Sequence, residues 1–459
     1  MSEIAEIVAR ARTAQAAYEA QGSQARYDRA AQAVAWAIME PERNRHLAEL
    51  AVATTGLGNV PDKITKNHRK TLGLMRDIRG AVTFGVISDD PDKGITEIAR
   101  PKGVVGAIVP STNPAATPAN NIINALKCGN AIVVAPSPKG IACSERLIDF
   151  IRAEFKKIGE DPDLVQMIPA PGSKEKTQAL MELCDMIVAT GSQNNVHRAQ
   201  TAGTPAVAVG TGNVTVIVDE TADLADAAEK IRASKCFDNA TSCSSENAVV
   251  VIDAVFNAFV AAMAGAGGAL VKDEAGLIAK LWPEGHLNRS VIAQDADKMI
   301  AALGLDVPEG TEYIAIPTSG IGADHPLSGE KLSRVLALYR AVDFADAVET
   351  TQRIQRNQGA GHSVGIHTKE QTRPMVLATA IPTSRVIVNQ AHTFATGGSF
   401  TNGMPFSLSM GCGTWGGNSV NENVNYRHFL QSTKIVREIP AREPSLDEIF
   451  SDYWAQAGK

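Results

Sequence analysis

Hydrophobic positions recur every three or four residues through the first eighty residues, as in Ile4, Val8 and Ala11 and again in Ala31, Val34, Ala35 and Ile38, which predicts successive amphipathic helices. The turn-rich stretch TTGLGNVPDK punctuates them. Two short extended runs flank SDDPDKG and predict a hairpin at about 82–100, and a hairpin that leaves the main body is a candidate subunit bridge. From Gly103 the pattern changes. GVVGAIVP, NAIVVAPSP, LVQMIPAPG and DMIVATGS are apolar runs separated by helical stretches, and that alternation implies a doubly wound parallel sheet. Their ends, PSTNP, APSPKG, PAPGS and ATGSQNN, fall at the carboxyl edge, where such sheets bind nucleotides. No GxGxxG opens a strand-to-helix turn, so a dinucleotide would bind here without that fingerprint. After a crossover near 206–231, residues 250–410 alternate again and predict a second α/β domain. KIVREI near the C-terminus has strand character and is suited to pairing with the hairpin.

The 459 residues exceed one ordinary core and fit two or three domains. A hydrophobic content of 44% with 20% charged residues suits a soluble enzyme, and no apolar run reaches the roughly 18 residues of a membrane span. The N-terminus carries early acids and lacks a secretory pattern, so a cytoplasmic location is expected. Six scattered cysteines, without a CxxC pair or metal-ligand spacing, suit reduced thiols and argue against a disulfide framework and a metal site. The formal net charge of −6 with dispersed Lys and Arg disfavours a nucleic-acid partner and leaves small-molecule chemistry.

One stretch stands out. SKCFDNATSCSSE, residues 234–246, places Cys243 among small and hydroxyl residues just ahead of the apolar run Ala248, Val249, Val250, Val251, Ile252, which reads as a loop feeding a buried strand. Alone, the motif is better read as an inert buried thiol.

With FDNATSC joined by IVPSTNP, ATGS, GEKLSRVLALYR, GAGHS and GCGTWGGNSVNENV, the chain resembles the aldehyde dehydrogenase superfamily over nearly its whole length. It is most similar to the CoA-acylating branch, represented by the aldehyde dehydrogenase half of bifunctional aldehyde-alcohol dehydrogenases, and ends before any iron-dependent alcohol dehydrogenase domain. The resemblance implies an α/β fold of two doubly wound domains plus a small β-hairpin bridging element. Residues 1–235 would bind nucleotide and carry the hairpin, residues 236–415 would form the catalytic domain, and residues 416–459 would return a strand to the hairpin. A homodimer or homotetramer is expected.

The resemblance also assigns roles. Cys243 would be the nucleophile that makes an aldehyde carbon tetrahedral before hydride leaves, while Cys236 would be packing. Asn113 matches the superfamily's oxyanion asparagine, although a turn asparagine beside proline bonds its own backbone equally well. Hydrolytic relatives activate water with a glutamate some thirty residues before the cysteine. Here that stretch is Val209, Gly210, Thr211, Gly212, so water lacks a base and a thiol, coenzyme A, becomes the expected acyl acceptor. His362 in GAGHS would take the CoA proton or tune Cys243, or else is structural.

For the cofactor, NAD or NADP, Glu330 matches a ribose-binding glutamate, while Thr190, Gly191 and Ser192 resemble the turn near the pyrophosphate, with Gly210 close by. Ala135 replaces a common lysine, which shifts ribose contacts to Ser137 and Lys139 and leaves NAD against NADP open. Arg334 stands where the family pattern has proline. With His392 and Thr393 of the polar loop Asn389, Gln390, Ala391, His392, Thr393, it would suit a polar or anionic aldehyde, unless it is merely a solvated arginine. Sulfoacetaldehyde, succinate semialdehyde and acetaldehyde are the substrates in view. A hydrolytic dehydrogenase and a catalytically silent scaffold are the rival readings.

Overall fold

The computed structural model describes residues 2–459. Four helices, Glu3–Ala20, Gln24–Met39, Pro41–Thr55 and Val60–Ile78, open the chain. Ser2, Ser23 and Asn59 cap three of them by accepting the backbone N–H of Ala5, Arg26 and Asp62, donors that a helix start leaves unpaired. Among the described residues no helix is long and apolar enough to cross a membrane.

The first sheet has five parallel strands in the order Val165–Met167, Ala131–Pro136, Val104–Val109, Met186–Thr190, Ala206–Val209. The chain starts at the central strand Val104–Val109, winds outward to one side, then crosses to Met186–Thr190 on the other. This reversal leaves a crevice beyond the carboxyl ends of those two strands, and residues 110–113 and 190–192 emerge there.

The second sheet has seven parallel strands, Gly268–Leu270, Tyr313–Pro317, Val335–Ala341, Glu246–Ile252, Val214–Val218, Val364–His367 and Val386–Val388 in spatial order. In its strand Glu246–Ile252 every residue is buried, and the two-residue period splits them: Ala248, Val250 and Ile252 enter the core on one face, Val249 and Val251 that on the other. Burying such a side chain contributes about 1.5–3 kcal/mol. The strand therefore anchors the Cys243 loop that precedes it.

The domain boundary differs from the expected 235/236. Val214–Val218 hydrogen-bonds to Glu246–Ile252 and Val364–His367, so the second sheet claims the chain before residue 214. An apolar run looks the same in either sheet, and only its pairing partners decide where it belongs.

The hairpin forms as expected from Val86–Asp90 and Ile95–Pro101, and Leu430–Val436 adds antiparallel to its second strand. That third strand is almost wholly exposed, and the terminal helix Leu446–Ala457 buries no residue.

Candidate active site

Strand ends of the two sheets face one cavity. The first presents the carboxyl ends of its strands, whereas the second presents amino ends: Cys243 precedes Glu246–Ile252, Glu330 precedes Val335–Ala341, and Gly212 precedes Val214–Val218. Between them lies a cavity of about 330 Å³ lined by Asn113, Thr190, Gly191, Ser192, Gly210, Cys243, Glu330 and Thr393, eight positions expected from the sequence.

Cys243 sits at the end of a strained turn. Asp238, Asn239 and Ala240 have φ of 48°, 55° and 59°, a left-handed run that costs about 1–2 kcal/mol per non-glycine residue. Buried polar contacts hold it. Asp238 Oδ2 accepts from Lys63 Nζ at 3.1 Å, Lys66 Nζ at 2.5 Å and Thr241 Oγ1 at 2.8 Å, and the Asp238 N–H donates to Asp62 Oδ2 at 2.8 Å. Burial alone would raise the Asp238 carboxyl, but Lys66 and Lys63 hold it below the ordinary range. Burial lowers Lys63 in turn.

Arg334 belongs to this clamp and not to the cavity wall, which corrects its expected place against substrate. Its Nη2 and Nε donate to Asn239 Oδ1 at 2.7 and 3.1 Å, and Nη1 donates to the Glu312 carbonyl at 3.0 Å. The strained turn draws the guanidinium inward because Asn239 Oδ1 needs donors once buried.

Asn113 has a defined orientation. Lys66 Nζ, which can only donate, lies 3.0 Å from Asn113 Oδ1, so the amide nitrogen faces away from the lysine. The Cys243 backbone N–H has no main-chain acceptor among the described residues. Asn113 Nδ2 donates to Thr112 Oγ1 at 3.4 Å and keeps its second N–H, and Asn113 lines the same cavity as Cys243.

Burial pushes the Cys243 thiol up to about 12, with the neighbouring Glu330 adding to it. Burial likewise raises Glu330 to about 8, against a stabilising hydrogen bond from the Gly212 N–H, and Glu330 Oε1 has no partner. A Cβ added at Gly212 would lie 2.3 Å from the Cys243 carbonyl oxygen, so any carboxylate-bearing residue is excluded from that position.

His392 is the second correction. It is 1% exposed, donates its backbone N–H towards Glu246 Oε1, and pairs Nε2 with Ser363 Oγ at 2.9 Å, while the next residue, Thr393, faces the cavity with its hydroxyl unpartnered. Successive residues in the helix His392–Thr396 point about 100° apart, so only one of the pair reaches the cleft. His362 is equally buried, pairs Nδ1 with the same Ser363 Oγ at 2.8 Å, and leaves Nε2 unpartnered. It lies behind the Cys243 backbone, its Cδ2 3.2 Å from a Cβ built on Gly212. Burial drives it down to about 3, so it is a neutral imidazole. Ser137 and Lys139 flank the crevice after Ala131–Pro136 and are not in the cavity wall; Ser137 Oγ is buried without a partner and Lys139 is exposed.

The sequence reading missed Lys66, Arg69 and Lys70, which line the cavity from helix Val60–Ile78. The signal was present. Lys63, Lys66 and Lys70 follow the three- and four-residue spacing of one helix face, and a buried cationic face facing a cysteine loop needs a partner.

A thiol beside an aimed amide, a ribose-sized acceptor carboxyl and a nucleotide crevice define a thiol-dependent carbonyl oxidoreductase site. Comparison with known proteins places it further: residues 1–274 match the aldehyde dehydrogenase family. Sulfoacetaldehyde dehydrogenase (acylating) of Cupriavidus necator is 54% identical over 99% of this chain and 93% of its own. The acetylating aldehyde dehydrogenase of Geobacillus thermoglucosidasius superposes with a TM-score of 0.92 at 30% identity, covering 96% and 98% of the two chains. A propionaldehyde dehydrogenase of Rhodopseudomonas palustris, solved with CoA and an acylated cysteine, reaches a TM-score of 0.84 at 25% identity over 95% and 97%. The chain belongs to the aldehyde dehydrogenase family, in its CoA-acylating branch.

Proposed function

We propose that the protein converts sulfoacetaldehyde, CoA and NAD(P)+ into sulfoacetyl-CoA, NAD(P)H and a proton. The observation that carries the substrate is the cationic wall of the cavity: Lys66, Arg69 and Lys70 stand around the space in front of Cys243, and a sulfonate is a permanent anion. The identity to the acylating relative from Cupriavidus necator agrees with it.

Cys243 gives up its thiol proton to solvent and Sγ adds to the aldehyde carbon as the C=O π bond opens, and the oxygen that gains charge receives the Asn113 Nδ2 and Cys243 N–H donors; removing one such donor costs about 2.7–4 kcal/mol. The orphaned acceptors Glu330 Oε1 and Ser137 Oγ suit ribose hydroxyls, and the N-terminus of helix Gln193–Thr201, capped by Ser192, suits a pyrophosphate. Bound there, a nicotinamide cofactor would supply the hydride acceptor. Cys243 is then held as a thioester, whose carbonyl carbon is attacked by the CoA thiol as Sγ departs. Gly210 and Gly212 place no carboxylate where water would need a base. The CoA thiol's proton passes to the departing Cys243 Sγ, and His362, which burial holds neutral and which is absent from the cavity wall, is assigned to backing the Cys243 loop. The exposed three-stranded sheet is assigned to bridging copies of the chain.

Omitting CoA tests the reaction. A burst of NAD(P)H equal to the enzyme present, followed by arrest until CoA is added, is expected; steady release of free acid without CoA would support the hydrolytic alternative. Running sulfoacetaldehyde, succinate semialdehyde and acetaldehyde against NAD and NADP assigns substrate and cofactor.

A further inference from the structure

Three cations line the cavity, and they are not equally free. Lys66 Nζ has three N–H donors, and all three are taken, by Asn113 Oδ1 at 3.0 Å, Asp238 Oδ2 at 2.5 Å and Thr241 Oγ1 at 2.9 Å. Lys70 Nζ is held by the carbonyls of Gly397 at 2.5 Å and Ser407 at 3.1 Å, and burial brings it down to about 7, so its charge is partly lost at neutral pH. Arg69 differs. Its Nη2 donates to the carbonyls of Phe394 at 2.9 Å and Gly398 at 3.3 Å, while Nε and Nη1 donate to nothing among the described residues.

The guanidinium is also fixed in place. Its carbon lies 4.9 Å from the centroid of Phe394 and 5.5 Å from that of Phe406. An arginine whose plane is held by two rings and two carbonyls presents its remaining N–H groups without further loss of freedom. The two Nη1 N–H groups and the Nε–H remain on a charged group that stays protonated when buried, whereas the buried Lys70 loses part of its charge.

We infer that Arg69 is the residue that selects the anionic aldehyde, its unpartnered Nη1 group binding the charged end while the carbonyl is held at Cys243 and Asn113. This rests on the proposed substrate class and assigns it to one side chain. The three cations then divide the work: Lys66 orients the amide, Lys70 ties down the loop after helix His392–Thr396, and Arg69 reads the substrate.

The experiment compares kcat/KM for sulfoacetaldehyde and for acetaldehyde in the full-length enzyme and in Arg69→Gln and Arg69→Lys. Wild type is expected to prefer sulfoacetaldehyde. Arg69→Gln should lose about 10- to 100-fold more on sulfoacetaldehyde than on acetaldehyde, the size of a charge-assisted hydrogen bond, and an unfolding midpoint matching wild type reports that the variant is folded. Arg69→Lys should fall between them. A wild-type preference that survives in Arg69→Gln overturns the assignment to Arg69 alone. A wild type without preference overturns the substrate class as well. As a readout that needs no turnover, ethanesulfonate should slow iodoacetamide alkylation of Cys243 in wild type and not in Arg69→Gln; equal protection in both would also overturn the assignment.

Discussion

Lys66 Nζ donates to Asn113 Oδ1 at 3.0 Å and to Asp238 Oδ2 at 2.5 Å, so one ammonium ties the amide of the oxyanion site to the strained turn before Cys243. Replacing it with methionine frees the amide to rotate and leaves Asp238 with fewer donors. Lys66→Met is expected to lower kcat by about 100-fold, approaching Asn113→Ala, because the amide then no longer points reliably at the oxyanion. The double variant should be little worse than Asn113→Ala alone. Losses that multiply in steady-state kinetics would show that the two residues act independently.

Arg334 is expected to matter for the turn and not for substrate choice. Arg334→Met leaves buried Asn239 Oδ1 without its two donors, a loss of about 1.5–3 kcal/mol visible as a lower unfolding midpoint in urea. The ratio of kcat/KM between sulfoacetaldehyde and acetaldehyde should stay at its wild-type value. A changed ratio would return Arg334 to the substrate site.

Gly212 packs on the Cys243 backbone so closely that a Cβ must displace it. Gly212→Ala should lower stability by about 1–3 kcal/mol and reduce turnover. Gly212→Glu should not yield CoA-independent acid production, because the carboxylate arrives only by moving the cysteine. Free acid formed at a steady rate by that variant would contradict this.

The resting Cys243 is a thiol, with burial first and Glu330 second raising it to about 12. Below that value the thiolate fraction grows tenfold per pH unit. The rate of iodoacetamide inactivation of the free enzyme should therefore keep climbing from pH 7 to pH 10. A plateau below pH 8 would mean the sulfur is ionised in the resting state.

Three buried histidines resist protonation, His362 down to about 3, His367 to about 4, and His392 well below its ordinary value, each chiefly through burial. The unfolded chain takes up these protons near pH 6.5 and the folded chain does not, so stability is complete above that pH and falls between about 6.5 and 4. Each histidine contributes up to about 1.4 kcal/mol per pH unit to that slope. Urea titrations at pH 7, 6 and 5 should show a shallower decline for His362→Gln than for wild type.

Much of this was determined by the sequence itself. Strand runs such as Val104–Val109 and residues 248–252 are continuously apolar because both faces of a parallel sheet are covered, and that composition is visible without coordinates. The Cys243 loop and the Thr190 turn were also legible, since small and polar residues at strand ends stand out against apolar runs, whereas Asn113, Glu330 and Thr393 were placed by the family resemblance. What only the tertiary structure decided was direction and partnership. Arg334 and His392 carry chemistry that suits a substrate, yet hydrogen bonds to Asn239 and Ser363 consume it. Lys66 and Arg69 look like surface charges in a soluble helix, and packing of that helix beside the turn Phe237–Ala240 and residues 394–407 turns them into the cavity wall. A residue's type fixes what bonds it is able to make; which of them remain free for a ligand depends on neighbours up to hundreds of positions away in the chain.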